Sequence, residues 1–153
     1  REALKDLSRM RWRVGAVLGN AEVVQAVARV KTKVDSGIFT PVQQAAVAAL
    51  EGDQSWIRER NDVYQQRRDL VMESLRAAGI RAKVPRASLY VWGSGGGLGT
   101  SMDFSLRLLE QTGVWLTPGS GFGEQGEGYF RLSLAAPDER LHEAGRRLAE
   151  FRL

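Results

Sequence analysis

A glycine-rich turn that leads into an apolar strand is the most constraining feature of this sequence. The turn covers residues 117–123, with glycines at positions 119, 121 and 123, and the strand is predicted at residues 129–134. Glycine permits positive backbone angles and the close approach of another segment, so this spacing predicts a tight turn that fixes the height of the strand. An anion site made of consecutive backbone N–H groups is the alternative for the same turn.

One arginine, Arg131, interrupts the apolar pattern of this strand. A guanidinium is a planar fork of donors that matches a carboxylate, so Arg131 is a candidate for binding a substrate carboxylate. The alternatives are a structural salt bridge and an edge-strand arginine that faces water.

Apolar periodicity predicts alternating helices and strands along the rest of the chain. Predicted strands cover residues 14–18, 81–84, 88–92, 114–116 and 129–134. Helices are expected after an Asn20 cap, at 41–51 with Thr40 and Gln43 at capping-box spacing, at 54–78, between Thr100 and Gly113, and from Pro137 onward. Helices packed on a small sheet give an α/β domain.

The first eleven residues have the pattern of an amphipathic helix. Leu4, Leu7 and Met10 stand three apart among strong helix formers, without glycine or proline. This pattern places Lys5 on the solvated side of the helix. We therefore expect residues 1–19 to form a helix and a strand apart from a larger α/β domain over residues 20–153.

Several motifs occur in the order found in one enzyme family. Trp12-Arg13-Val14-Gly15 looks like its Gly-Trp-Arg-hydrophobic-Gly signature, and Pro41-Val42-Gln43-Gln44-Ala45 resembles its Pro-x-Gln-x-Ala helix start. The long helix over residues 54–78, a Pro-to-Trp strand at 84–92 and the turn and strand at 117–135 follow. The chain thus resembles the C-terminal part of class I/II pyridoxal-phosphate-dependent aminotransferases of fold type I.

This resemblance implies a fold, a reaction and site residues. The fold is the small C-terminal α/β domain with a remnant of the large domain, and the reaction moves an amino group from an amino acid to a 2-oxo acid. Lys5 would form the Schiff base with pyridoxal phosphate, because it stands eight residues before Arg13. Arg13 would bind the cofactor phosphate and Arg131 the substrate carboxylate, in a homodimeric cytoplasmic enzyme.

The resemblance covers only the C-terminal part of the family's subunit, and it therefore implies that this chain is inactive by itself and binds no cofactor alone. The missing part of the subunit supplies the glycine-rich phosphate cradle and the aspartate at the pyridine nitrogen. The alternative is an engineered or excised stand-alone domain without catalytic function. It is favoured by the helix-like leader and by the glycine- and serine-rich residues 93–99.

Composition excludes several other classes of protein. Basic residues alternate with acidic ones despite the net charge of +4, so we expect no nucleic-acid partner. Cysteine is absent and His142 is the one histidine, which argues against disulfides and a metal site. The sequence has no apolar run of membrane-spanning length.

Overall fold

The computed structural model describes residues 14–97 and 99–152 of the chain. The predicted helix over residues 1–11, Lys5 and Arg13 lie outside the described residues. The chain divides into two compact units, one that ends at Arg60 and one that begins at Asn61. The boundary expected at residue 19 stays a prediction.

The described part of the first unit is helical. It contains α1 (Ala21–Val34), α2 (Thr40–Glu51) and the beginning of α3 (Ser55–Ala77), which continues into the second unit. The Asn20 side chain accepts hydrogen bonds from the N–H groups of Glu22 and Val23, at 2.9 and 3.3 Å. This confirms the predicted cap of α1.

Two local predictions in the first unit are wrong. Residues 14–18 form no strand, because an apolar run becomes a strand only beside a partner, and no described segment pairs with it. The capping box expected at Thr40 is also absent. Thr40 is already helical and Phe39 is the N-cap, while the Gln43 side-chain amide donates to the Ile38 carbonyl oxygen.

The second unit has a three-stranded antiparallel sheet in the order β1, β3, β2. The strands are β1 (Tyr90–Ser94), β2 (Thr117–Pro118) and β3 (Tyr129–Ser133). Two further helices, α4 (Ser101–Thr112) and α5 (Asp138–Glu150), complete the unit. A small sheet combined with helices confirms the expected α/β class.

In the second unit, two of the predicted strands are present and two are not. The strand predicted at 129–134 is β3, and the one predicted at 88–92 is β1, displaced by two residues at each end. The strand predicted at 81–84 is reduced to one bridge between Ala82 and Gly93, because Pro85 follows and has no N–H to extend a ladder. Residues 114–116 are not paired, since this segment begins to pair with β3 only at Thr117.

Alternation along the strands separates two faces of the sheet. Val91, Phe130 and Leu132 point to one face and are buried. They pack in one hydrophobic core with buried side chains of the helices, among them Leu75, Phe104, Leu108 and Leu148, and with Phe151, which follows the last helix. The opposite face carries Arg131 and exposed aromatic residues, so it remains accessible within this unit.

Helix α4 begins and ends as its sequence predicts. The Thr100 hydroxyl accepts from the Asp103 N–H at 3.1 Å, and the Asp103 carboxylate accepts from the Thr100 N–H at 2.9 Å. Gly113 ends the helix with a left-handed backbone at φ 70°. No helix in residues 14–97 or 99–152 combines the length and apolarity needed to cross a membrane.

Candidate substrate-binding face

Arg131 lies in the middle of the exposed sheet face. It is on the central strand β3, opposite Trp92 of β1 and Thr117 of β2, and its side chain is half-buried. The ladder fixes its backbone on both sides. The side chain therefore starts from a rigid position in the sheet.

Two aromatic rings contact the guanidinium of Arg131. Its Cζ atom lies 4.3 Å from the ring centroid of Tyr90 and 4.4 Å from that of Phe122. Both distances lie well within the range of a cation–π interaction. No described residue forms a hydrogen bond or ion pair with this guanidinium, so the structural salt bridge considered above is not present among residues 14–97 and 99–152.

The rings around Arg131 form a continuous group, which we call the aromatic face: Tyr90, Trp92, Phe122 and Tyr129. The Trp92 ring stacks on Tyr129 at 5.9 Å and meets Phe122 edge-on at 5.6 Å. All four side chains are between 37% and 48% exposed. Exposed apolar groups gathered in one place mark a binding surface rather than a core.

Sequence reasoning identified Arg131 but missed the aromatic face. The two-residue spacing of Tyr90 and Trp92, and of Tyr129 and Arg131, places all four on one side of adjacent antiparallel strands. That alternation was available in the sequence. The position of Phe122 was not, because it depends on the fold of the turn.

The glycine-rich turn is tight, as predicted. It contains the short 3₁₀ helix Gly119–Phe122, and a second one, Glu124–Gly126, follows it directly. The N–H of Gly123 donates to the Ser120 carbonyl oxygen, and that of Gly126 to the Gly123 carbonyl oxygen. The N–H groups of Gly123 and, through the Ser101 hydroxyl, of Ser120 are thus already hydrogen-bonded within the protein, which argues against an anion site in the turn.

A polar network joins the turn to the N-terminus of α4. The N–H of Ser120 donates to the Ser101 hydroxyl at 3.2 Å, and that hydroxyl donates to Ser120 Oγ at 3.0 Å. The Glu127 carboxylate accepts from the N–H groups of Ser101 and Gly128. These hydrogen bonds lower the pKa of Glu127, with the Ser101 N–H as the largest cause.

The described residues do not by themselves fit pyridoxal phosphate. A Schiff-base lysine needs a pocket that depresses its pKa, whereas the described lysines, Lys31, Lys33 and Lys83, are all exposed. The residues that the resemblance assigns to the cofactor, Lys5 and Arg13, lie outside the described part.

Known proteins show strong similarity to this chain. It is 49% identical over 140 residues to LL-diaminopimelate aminotransferase of Oleidesulfovibrio alaskensis, covering 92% of this chain and 36% of the relative. The corresponding enzyme of Dehalococcoides mccartyi is 46% identical over 141 residues, with the same coverage. The chain thus spans little more than a third of the length of these relatives.

Solved aminotransferase structures also match most of this chain over a minor part of their own length. The aromatic aminotransferase of Pyrococcus horikoshii matches with a TM-score of 0.81 at 32% identity, over 94% of this chain and 39% of that one. A probable N-succinyldiaminopimelate aminotransferase of Thermus thermophilus matches with a TM-score of 0.76 at 35% identity, over 87% and 36%. The expected resemblance to part of an aminotransferase subunit is confirmed.

The family pattern of aminotransferase class I and II matches residues 5–148, which is nearly the whole chain. This match covers both units and the motifs from Arg13 to Arg131. The chain belongs to the aminotransferase class I and II family, whose members depend on pyridoxal phosphate.

Proposed function

We propose that this chain is the part of an aminotransferase subunit that binds the carboxylate of the substrate, through Arg131. The observation that carries the proposal is the state of the Arg131 guanidinium. It contacts two aromatic rings and is not hydrogen-bonded or ion-paired to any described residue. A positioned, uncompensated guanidinium on an accessible face is suited to a carboxylate ligand.

In the complete subunit, Lys5 would form the Schiff base and Arg13 would bind the cofactor phosphate. Pyridoxal phosphate supplies the electron sink for amino-group transfer, and the protein supplies orientation and charge. The reaction moves an amino group from an amino acid to a 2-oxo acid, and we propose a homodimeric cytoplasmic enzyme. The aminotransferase family and the order of its motifs support these assignments.

Diaminopimelate is the first amino donor to test, because the relatives described above are named as LL-diaminopimelate aminotransferases. Both ends of such a donor carry a carboxylate. Either end suits a guanidinium fork, so the donor fits the chemistry of Arg131.

The test uses a hybrid subunit, defined as the O. alaskensis relative in which the matched segment is replaced by the 140 matching residues of this chain. Arg131→Lys keeps the charge but removes the fork. We expect KM for the amino donor and for 2-oxoglutarate to rise about tenfold to hundredfold, as for the loss of hydrogen bonds to a charged group. The matched control is Arg146→Lys, on the exposed side of α5. Equal KM values for the two variants would refute the proposal.

A stand-alone domain without catalytic function is the second candidate. The observation that favours it is the self-contained core of the second unit, from Val71 to Phe151. The two candidates differ in one respect that can be measured: only the first requires carboxylate binding by the hybrid subunit to depend on Arg131.

A further inference from the structure

We infer that Tyr90 and Phe122 are positioning residues for Arg131, and that they keep its guanidinium oriented for a carboxylate. The inference rests on the proposed role of Arg131 and adds two residues to it. Each ring centroid lies within 4.4 Å of the Arg131 Cζ atom. No described hydrogen bond competes with these contacts for the guanidinium.

The physical basis is the difference between a ring and a carboxylate as partners. An aromatic ring attracts a guanidinium through its quadrupole and does not neutralise the charge. A structural carboxylate would fix the guanidinium equally well, but it would also compete with the substrate for the fork of donors. Aromatic contacts therefore restrict the motion of Arg131 while its charge remains available.

The two rings come from separately fixed elements. Trp92 is the direct cross-strand partner of Arg131, so Tyr90, two residues before Trp92, is a diagonal neighbour of Arg131. Diagonal neighbours are within reach of an aromatic side chain. Phe122 stands in the glycine-rich turn, which the hydrogen bonds between Ser120 and Ser101 attach to α4. Orienting Arg131 thus costs less side-chain entropy on ligand binding than ordering a solvated arginine would.

The Phe122 ring is also held in place by contacts with other rings of the aromatic face. Trp92 contacts it edge-on at 5.6 Å and itself stacks on Tyr129. Phe122 is nevertheless 48% exposed, so its replacement leaves the hydrophobic core intact. A change at this position therefore tests orientation rather than folding.

The first experiment observes Arg131 directly in the ¹⁵N-labelled chain. Ring currents should displace its Nε–Hε signal, which Arg131→Lys identifies by its loss. Phe122→Leu and Tyr90→Leu should each move the signal toward those of the other arginines, whereas Phe122→Tyr and Tyr90→Phe should retain its position. Phe39→Leu, at a 74% exposed ring over which no described arginine lies, is the control. The inference is overturned if the chemical shift of the Arg131 Nε–Hε signal is the same in the parent, Phe122→Leu and Tyr90→Leu.

The second experiment measures KM and kcat in the hybrid subunit. Phe122→Leu should raise KM for the carboxylate substrates about threefold to tenfold, in the range of a cation–π contact, and Phe122→Tyr should restore it. Tyr90→Leu is measured in the same way. The inference is overturned if Arg131→Lys raises KM while Phe122→Leu and Tyr90→Leu both leave it unchanged. If Arg131→Lys has no effect on KM, the proposed function fails instead, and the arginine signal alone decides whether the rings orient Arg131.

Discussion

Gly119 packs directly against Gly126, so that a β-carbon on either residue would lie 2.0 Å from the carbonyl oxygen of the other. Both partners are backbone atoms, which cannot move aside as a flexible side chain can. The contact closes the turn that carries Phe122. It explains physically why glycine stands at positions 119 and 126.

Gly119→Ala should therefore destabilise the second unit, by about 1–3 kcal/mol or more, as expected for overpacking against a rigid neighbour. Gly121→Ala is the matched control, because a β-carbon there meets no atom within 4 Å and its backbone is not left-handed. Chemical denaturation of the two variants measures the difference. Equal losses in the free energy of unfolding would show that the contact does not matter.

Arg67 should contribute more to stability than Arg146, although both form ion pairs. The Arg67 side chain is 17% exposed and donates to Asp138, the first residue of α5, and to the Leu134 carbonyl oxygen at 3.1 Å, just after β3. It therefore connects α3 with both ends of the segment that joins β3 to α5. Arg67→Ala should lower the free energy of unfolding by about 1–3 kcal/mol, because it leaves a partly buried carbonyl without its donor.

Arg146 is the matched control for this comparison. It pairs with Glu143 and Glu150 on the surface of α5, where solvent screens the charges. Arg146→Ala should change the free energy of unfolding much less than Arg67→Ala. The reverse order in thermal or urea unfolding would contradict the stabilising role given to the partly buried Arg67.

Acid should weaken the connection between the turn and α4. Hydrogen bonds from Ser101 and Gly128 lower the pKa of Glu127, and those from Thr100 lower the pKa of Asp103. A depressed folded-state pKa gives stability that is present above the unfolded pKa, about 4.3 for Glu and 3.9 for Asp, and is lost as the pH falls through the folded value.

The variant that tests this is Glu127→Gln. The parent should be more stable than Glu127→Gln at neutral pH, and the difference should shrink as the pH falls below about 4.3. Glu73→Gln, at an exposed carboxylate of α3, is the control and should keep the pH dependence of the parent. A constant difference between parent and Glu127→Gln from pH 7 to pH 2 would refute the role given to the carboxylate.

Local signals allowed much of the fold to be predicted from sequence. The Asn20 cap and the box formed by Thr100 and Asp103 depend on residues within one turn of each other, and both are present. Strands at residues 14–18 and 114–116 were expected from apolar runs alone. They are absent because a strand depends on a neighbour that the run itself does not specify.

The candidate site also has one part that the sequence indicates and another that depends on tertiary structure. Arg131 stands out in the sequence because a charge interrupts an apolar strand. Its ring partners depend on the register that aligns Trp92 with Arg131 and on the turn that brings Phe122 to the same face. Those relations are tertiary, so Tyr90, Trp92 and Tyr129 could have been placed on one face from their alternation, but Phe122 could not.

The last prediction is that this chain alone does not transaminate, even with added pyridoxal phosphate. Among residues 14–97 and 99–152 no buried lysine is available for the cofactor, and positioning effects of the kind that a complete site provides are worth about 7–11 kcal/mol of the barrier. Free amines form aldimines with pyridoxal phosphate non-specifically, so colour counts only if it is stoichiometric and is lost in Lys5→Ala. A coupled assay with diaminopimelate and 2-oxoglutarate measures turnover against free pyridoxal phosphate. Turnover well above that background, abolished by Lys5→Ala, would show that these 153 residues already contain a working site.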